Sequence, residues 1–263
     1  MSPGTKHAYK GERVIRFSVL SLVLAISNPA SAIEPIRPQE PVEFDQTQGV
    51  RIVRGKVDRV SDGDTIAVRV AGMAAPMKVR MVGMDTAELH LVVGGKPQSQ
   101  GWWAEAGHEH LLSMIPVGSN VKVEVFGQDS YGRSLGRVFD SQGRDVNLEM
   151  VRSGWGSFYV ICAGSTCTSD FMTTQSVEEY AEACEDAVQN QRGIFDAQDP
   201  LPEQPFEYRM RMQNRRPERH VGDLQQQVLH APVHYDRVPL CRRIFFGSEA
   251  EGIRLGYRRA HSQ

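Results

Sequence analysis

The stretch that decides the fold is residues 50–70, VRIVRGKVDRVSDGDTIAVRV. Val, Ile and Thr fill two runs on either side of Asp62-Gly63, a pattern that predicts a β-hairpin. Asp62 and Gly63 suffice for the turn, so turn chemistry leaves Asp64 unexplained. Three more strands lie downstream. APMKVRMVGM (75–84) is the third. NVKVEVFGQD (120–129) is the fourth, with Val121, Val123 and Val125 on one face and Lys122 and Glu124 on the other. SLGRVFDSQG (134–143) is a short fifth strand that ends in a turn.

Three helices fit between and after these strands. Residues 101–115 place Trp103, Gly107, Leu111 and Met114 on one stripe. Residues 145–154 offer Asp145 as N-cap and Gly154 as a stop. Residues 176–193 carry Ser176 and Glu179 as a capping box and end at Gly193. The apolar stripe of this last helix is Val177, Tyr180, Ala181, Cys184 and Val188, so Cys184 faces inward. Five short strands with a helix after the third predict an α+β fold built on a small closed barrel of the OB type with three helices. A Pro-rich boundary at 199–205 separates residues 50–198 from a small basic α+β module at 206–263.

The chain has 263 residues, 40% of them hydrophobic, which allows one good core and a small second domain. Residues 1–32 read as a secretory signal peptide: a basic start, the ten-residue apolar run FSVLSLVLAI, and a small-residue site at Ala30, Ser31 and Ala32. Cleavage after Ala32 implies a secreted or periplasmic protein. No later run of 18 apolar residues exists, so no stable membrane insertion is expected. Residues 33–49 form a Pro-rich linker. The formal charge of −2 hides a division: from Phe206 onward there are 11 Arg, no Lys and 6 acidic residues. The oxidising compartment makes disulfides the expectation for Cys162, Cys167, Cys184 and Cys241, with the pairing open and Cys162, Cys167 and Cys184 the favoured set.

The residues that carry chemistry lie at strand ends. Asp64 follows the turn. Arg80 sits in the third strand, with Asp85, Thr86 and Glu88 beyond it, and Tyr131 and Arg133 fall between the fourth and fifth strands. Carboxylate oxygens suit Ca²⁺ or Mg²⁺. Such a cation neutralises a phosphate, a further carboxylate takes a proton from water, and arginines stabilise the charge of the transition state. This inventory is the one phosphodiester hydrolysis requires. Dense His/Cys sets, G-x-S-x-G and a Walker loop are absent from the sequence. Strict alternation would put Arg80 and Asp85 on opposite faces, so a bulge or turn is needed between them, and Gly83 is the place for it.

Residues 50–196 resemble the staphylococcal nuclease (thermonuclease) family. The matching words, in order, are DGDTI, VRMVGMDTAE, GQDSYGRSLGRV, DVNLEMVRSGWG and QRGIF. The resemblance implies a five-stranded OB barrel with three helices and a Ca²⁺-dependent hydrolase that cleaves DNA and RNA and leaves 3′-phosphates. It implies Asp64, Asp85 and the Thr86 carbonyl as cation ligands and Glu88 as the group that positions or deprotonates water. Arg80 and Arg133 become the phosphate clamp, Tyr131 a neighbour of a bound phosphate, and Tyr159 a further substrate-side candidate. One departure is Ala87, which stands where the family has Pro. CAGSTC and its flanks look like an insertion before the last helix.

Simpler readings exist for each residue taken alone. Asp64 is a plausible hairpin-end polar residue, Arg80 and Glu88 a plausible structural ion pair, and Arg133 a plausible solvated edge residue. Taken together they favour catalysis over the alternative of an OB module that binds nucleic acid or a protein partner in a cell-envelope assembly. Residues 219–260 loosely resemble an Ada-type metal-binding module. Such modules hold zinc with four cysteines, whereas this stretch offers Cys241 with His230 and His234, so zinc is not expected. Its arginines suit a phosphate backbone as well as they suit a solvated face. This reading confines the reactive site to residues 64–133.

Overall fold

The computed structural model describes residues 44–45, 50–162 and 174–260. The signal-peptide stretch, most of the linker, Cys167 and the body of the insertion lie outside the described residues.

One long strand makes the barrel possible. β1 (Phe44–Asp45) pairs with the start of β2 (Val50–Asp62). Thirteen residues let β2 serve two neighbours. Its later half pairs with β3 (Thr65–Arg69) and its first half with β8 (Asn120–Gln128). Register shifts between Val57 and Arg59 and between Val60 and Asp62 bend it around the core. β3 continues to β4 (Met77–Met81), β4 pairs in parallel with β9 (Ser134–Phe139), and β9 returns to β8. The circuit β2-β3-β4-β9-β8 is therefore closed. Val53, Val57, Ile66, Val68, Val79, Met81, Val123 and Val138 fill it, each at most 2% exposed. Closure removes the sheet edges that would otherwise stay unpaired.

The chain leaves the barrel at Val82. Gly83 takes φ 82°, a conformation that a side chain disfavours, and β5 (Gly83–Thr86) starts in a new direction. A small hairpin, β6 (Leu91–Val93) and β7 (Lys96–Gln98), leads to α1 (Trp102–Met114). α2 (Val146–Arg152) is capped by Asp145, whose side chain accepts from the Leu148 amide. β10 (Gly156–Cys162) pairs antiparallel with β5, and α3 (Thr174–Gln189) packs on α2.

Several expectations change here. α3 begins at Thr174, so Ser176 lies inside the helix and accepts from Arg137 Nη1 at 3.2 Å instead of capping. In α3 Val188 faces solvent and Ala187 is buried in its place. In α1 the buried positions are Ala104, Gly107 and Leu111, while the Trp102 and Trp103 indoles donate to the side chain and carbonyl of Asp199.

The count of three helices is also too low. α4 (Pro205–Met212) and α5 (Glu249–Arg254) bring it to five α-helices among the described residues. The last third adds strands β11 (His220–Asp223), β12 (Val228–His230), β13 (Arg243–Phe246) and β14 (Arg258–Arg259). β13 pairs in parallel with β10, so one six-stranded sheet runs β14-β12-β11-β13-β10-β5. The C-terminal strands thus extend the sheet whose far edge carries Asp85 and Thr86. A disulfide joins Cys184 of α3 to Cys241, a partner outside the favoured set, with Cα atoms 5.5 Å apart. Cys162 is also disulfide-bonded, and no described cysteine is free.

Candidate active site

The hairpin turn is tighter than its sequence suggests. Asp62 pairs with Thr65, so Gly63 and Asp64 are themselves the two turn residues. Gly63 is there for space: a Cβ would stand 2.7 Å from Thr86 Oγ1. That close approach brings the turn onto β5. Asp64 Oδ2 accepts from the Thr86 amide at 3.3 Å, and Asp64 Oδ1 accepts from Thr65 Oγ1 at 2.9 Å.

Arg80 ties the two aspartates together. Its Nη1 lies 2.8 Å from Asp64 Oδ2, and its Nη2 donates to Asp85 Oδ1 at 2.7 Å. Nη1 also donates to the carbonyls of Met81 and Met84, at 3.0 and 3.3 Å. The break at Val82 is what puts Arg80 and Asp85 on the same side. Asp85 is fully buried and Asp64 nearly so. Burial works against the Arg80 charge, but Asp64 and Asp85 outweigh it and hold its pKa above the usual value. Asp62 is pushed up to about 8, by burial first and then by the charge of Asp64.

Arg133 joins the same cluster from the other side. Its Nε donates to Asp129 Oδ2 at 2.7 Å, and its Nη1 donates to Thr65 Oγ1 at 3.4 Å. Asp129 also accepts from the Tyr131 and Arg133 amides, which fixes the turn. Tyr131 stands out from it, 82% exposed, with the Arg133 guanidinium 5.7 Å from its ring. Glu88 is held through its amide, which donates to Gln100 Oε1 at 3.0 Å. Ala87, the departure from the family word, is buried in a small core with Ala104, Ile194 and Leu201.

One partner was not legible in the sequence. Arg209 of α4 reaches into the cluster and grips Asp85 with both arms, Nη1 to Oδ1 and Nη2 to Oδ2, each at 2.8 Å. Its Nη1 also bonds Glu88 Oε1. Glu88 therefore pairs with Arg209, not with Arg80. Burial pushes the Glu88 carboxyl up, while Arg209 beside it pulls the other way. Tyr159 lies between this arm and the sheet. It stacks on Phe206 with centroids 5.5 Å apart, and the Arg209 guanidinium sits 5.9 Å from its ring. The only local sequence signal for this contact was the arginine surplus after Phe206.

Among the described residues no group of three or more His, Cys, Asp or Glu side chains is placed to hold a metal. Asp64 and Asp85 give two carboxylates, and the buried Thr86 Oγ1 beside them has no hydrogen-bond partner. This is a hard-oxygen set, short of a full cage, whose chemistry fits a partly hydrated Ca²⁺ or Mg²⁺. Cys241, the one cysteine of the Ada-like stretch, is spent in a disulfide. Asp62, Asp64, Arg80, Glu88, Tyr131, Arg133, Tyr159 and Arg209 all line one cleft of about 770 Å³. Arg215, Arg216 and Arg219 line the same cleft.

Comparison with known proteins agrees with this geometry. Residues 78–196 match the model of the staphylococcal nuclease homologue family. The chain is 32% identical over 208 residues to the endonuclease YhcR of Bacillus subtilis, covering 78% of this chain and 16% of that much longer protein. It is 31% identical over 150 residues to an uncharacterized endonuclease of Escherichia coli, covering 57% of this chain and 82% of that protein. A probable endonuclease of Yarrowia lipolytica, LCL3, is 29% identical over 168 residues, 54% of this chain and 72% of that protein. With the closed barrel, the cluster on its rim and these relatives in agreement, the chain belongs to the staphylococcal nuclease family of endonucleases.

Proposed function

We propose that the protein is an exported, Ca²⁺-dependent nuclease that hydrolyses DNA and RNA and leaves 3′-phosphate ends. The observation that carries this reading is the convergence of Asp64, Arg80 and Asp85 through contacts of 2.7 and 2.8 Å at the floor of a cleft lined by Glu88, Arg133 and Tyr131. Asp64, Asp85 and the Thr86 carbonyl would hold the cation. When bound, it neutralises a phosphate oxygen and favours attack at phosphorus.

The chain's own groups account for the remaining steps. Arg133, 30% exposed and tethered by Asp129, presents its guanidinium to the phosphate. Arg80 fixes both aspartates and adds positive charge beneath the developing negative charge. Glu88 accepts the proton of the attacking water, a role suited to a carboxyl that burial makes more basic than an exposed one. Phosphorus then parts from the 5′ oxygen, which takes up a proton from solvent and leaves as the hydroxyl of the departing strand, so the phosphate stays on the 3′ side. Tyr131 stands at the cleft mouth, where a neighbouring nucleotide would lie. Arg215, Arg216 and Arg219 offer phosphate contacts along a strand longer than one nucleotide, which supports a polynucleotide substrate.

Digestion of single-stranded DNA, duplex DNA and RNA by the exported protein, in Ca²⁺ or in chelator, tests the proposal. Cleavage in Ca²⁺ alone, with 3′-phosphate products, is the expected result. Binding of all three without cleavage would leave the binding-module alternative as the better account.

A further inference from the structure

Three of the four lone-pair sites of the Asp85 carboxylate are occupied. Oδ1 accepts from Arg80 Nη2 at 2.7 Å and from Arg209 Nη1 at 2.8 Å, and Oδ2 accepts from Arg209 Nη2 at 2.8 Å. Glu88 is engaged by the same guanidinium. A carboxylate whose two oxygens are forked by one arginine and shared with a second has little capacity left for a cation. A divalent ion beside Asp85 would also meet the Arg209 charge at close range. The two cations are therefore alternatives at this carboxylate.

The helix that carries Arg209 is fixed in place. Phe206, one turn earlier, is 5% exposed and packs on Tyr159 and Phe245. Glu207 Oε2 accepts from the Gln204 amide at 3.2 Å, and Tyr208 donates to the Ser99 carbonyl at 3.1 Å. Gln100 Nε2 donates to the Glu203 carbonyl at 2.9 Å just ahead of the helix. The guanidinium end differs from this anchored base. The Arg209 side chain is 25% exposed and lines the cleft, so it has room to swing while α4 stays docked. A nucleic-acid phosphate entering the cleft offers it a partner of the same two-oxygen geometry.

We propose that Arg209 is a determinant of the cation site: it stands on Asp85 and Glu88 in the cation-free enzyme, and a divalent cation binds only when its side chain swings off them into the cleft. This rests on the cation-dependent reading above. Arg209 acts as an internal counter-ion that keeps cation affinity low until substrate phosphate draws it away. By linkage, nucleic acid and cation then favour each other's binding.

Calorimetric titration of Ca²⁺ into the full oxidised chain, without nucleic acid, tests this on the parent, Arg209→Gln and Arg209→Lys. Arg209→Gln removes the competing charge and should lower the Ca²⁺ Kd at least about tenfold, or 1.4 kcal/mol. Arg209→Lys keeps a charge but loses the fork, so its Kd should fall by a smaller factor. Thermal melts in chelator establish folding. A merely structural Arg209 predicts lower stability with no gain in affinity. A parental or weaker Kd in a folded variant overturns the proposal, and if Arg209→Gln does not fold, the Arg209→Lys titration decides alone by the same criterion. Equal Kd values in all chains refute the role of Arg209 and leave the cation site standing. Absence of Ca²⁺ binding in every chain refutes the cation site itself and this proposal with it.

Discussion

Asp85→Asn should unfold the protein far more easily, in a way that its size does not suggest. Asn is nearly isosteric but neutral, and its nitrogen donates where Asp85 accepts. The native carboxylate is fully buried and takes three charged hydrogen bonds from two guanidiniums whose side chains are 14% and 25% exposed. Losing one partner of a buried pair costs about 3–5 kcal/mol. Two features place this case near the lower end. Asp64 still holds Arg80 and Glu88 still holds Arg209, so neither guanidinium is orphaned. Repulsion between Asp85 and Glu88 is also relieved. We expect a loss of about 3 kcal/mol in urea unfolding of the oxidised protein in chelator, and a melting temperature lower by about 6–12 °C. Asp64→Asn, which disturbs a single guanidinium contact, should cost about 1–2 kcal/mol. An Asp85→Asn protein within 1 kcal/mol (about one weak hydrogen bond) of the parent, or less destabilised than Asp64→Asn, would refute the view that this carboxylate is the electrostatic centre of the site.

The disulfide between Cys184 and Cys241 spans 57 residues, a loop whose closure in the unfolded chain is worth about 4 kcal/mol. The double substitution to Ser should lower stability by about that amount in urea unfolding, and an unchanged midpoint would contradict it. Gly63→Ala drives a methyl to 2.7 Å from Thr86 Oγ1, so turn and β5 must part, at a cost of about 1–3 kcal/mol and with weakened Ca²⁺ binding by calorimetry. Parental stability and affinity would show that the close approach is dispensable. N-terminal sequencing of exported protein should begin near Ile33, and an intact Met1 in exported material would count against the signal peptide.

Local patterns made the barrel and most of the site legible. Alternation along 120–125 gave the inward valines, and the clash between strand period and chemistry located the break at Gly83, because both are properties of neighbouring residues. Sequence places the turn one residue early, since Gly63 is needed for its close approach to Thr86 and no local signal reports that distance. The start of α3 moved to Thr174 because Ser176 answers to Arg137, 39 residues away. Arg209 could not be found at all: it meets Asp85 across 124 residues, through a parallel pairing of β10 with β13 that no hairpin or capping rule encodes. The pairing of Cys184 with Cys241 depends on the same docking.

The central claim is that this cluster turns over nucleic acid, and Arg133→Ala tests it most directly. Arg133 touches Asp129 and Thr65 and reaches the proposed cation ligands only through the Thr65 hydroxyl that donates to Asp64, so its loss bears on chemistry far more than on cation binding. Single-turnover cleavage of a single-stranded DNA oligonucleotide should be measured with Ca²⁺ in excess, alongside the Ca²⁺ Kd. The account predicts a rate at least about 100-fold below the parent, the scale of losing one transition-state donor, with a Kd within about threefold of the parent's. A folded Arg133→Ala protein that binds Ca²⁺ normally and cleaves at the parental rate would contradict it.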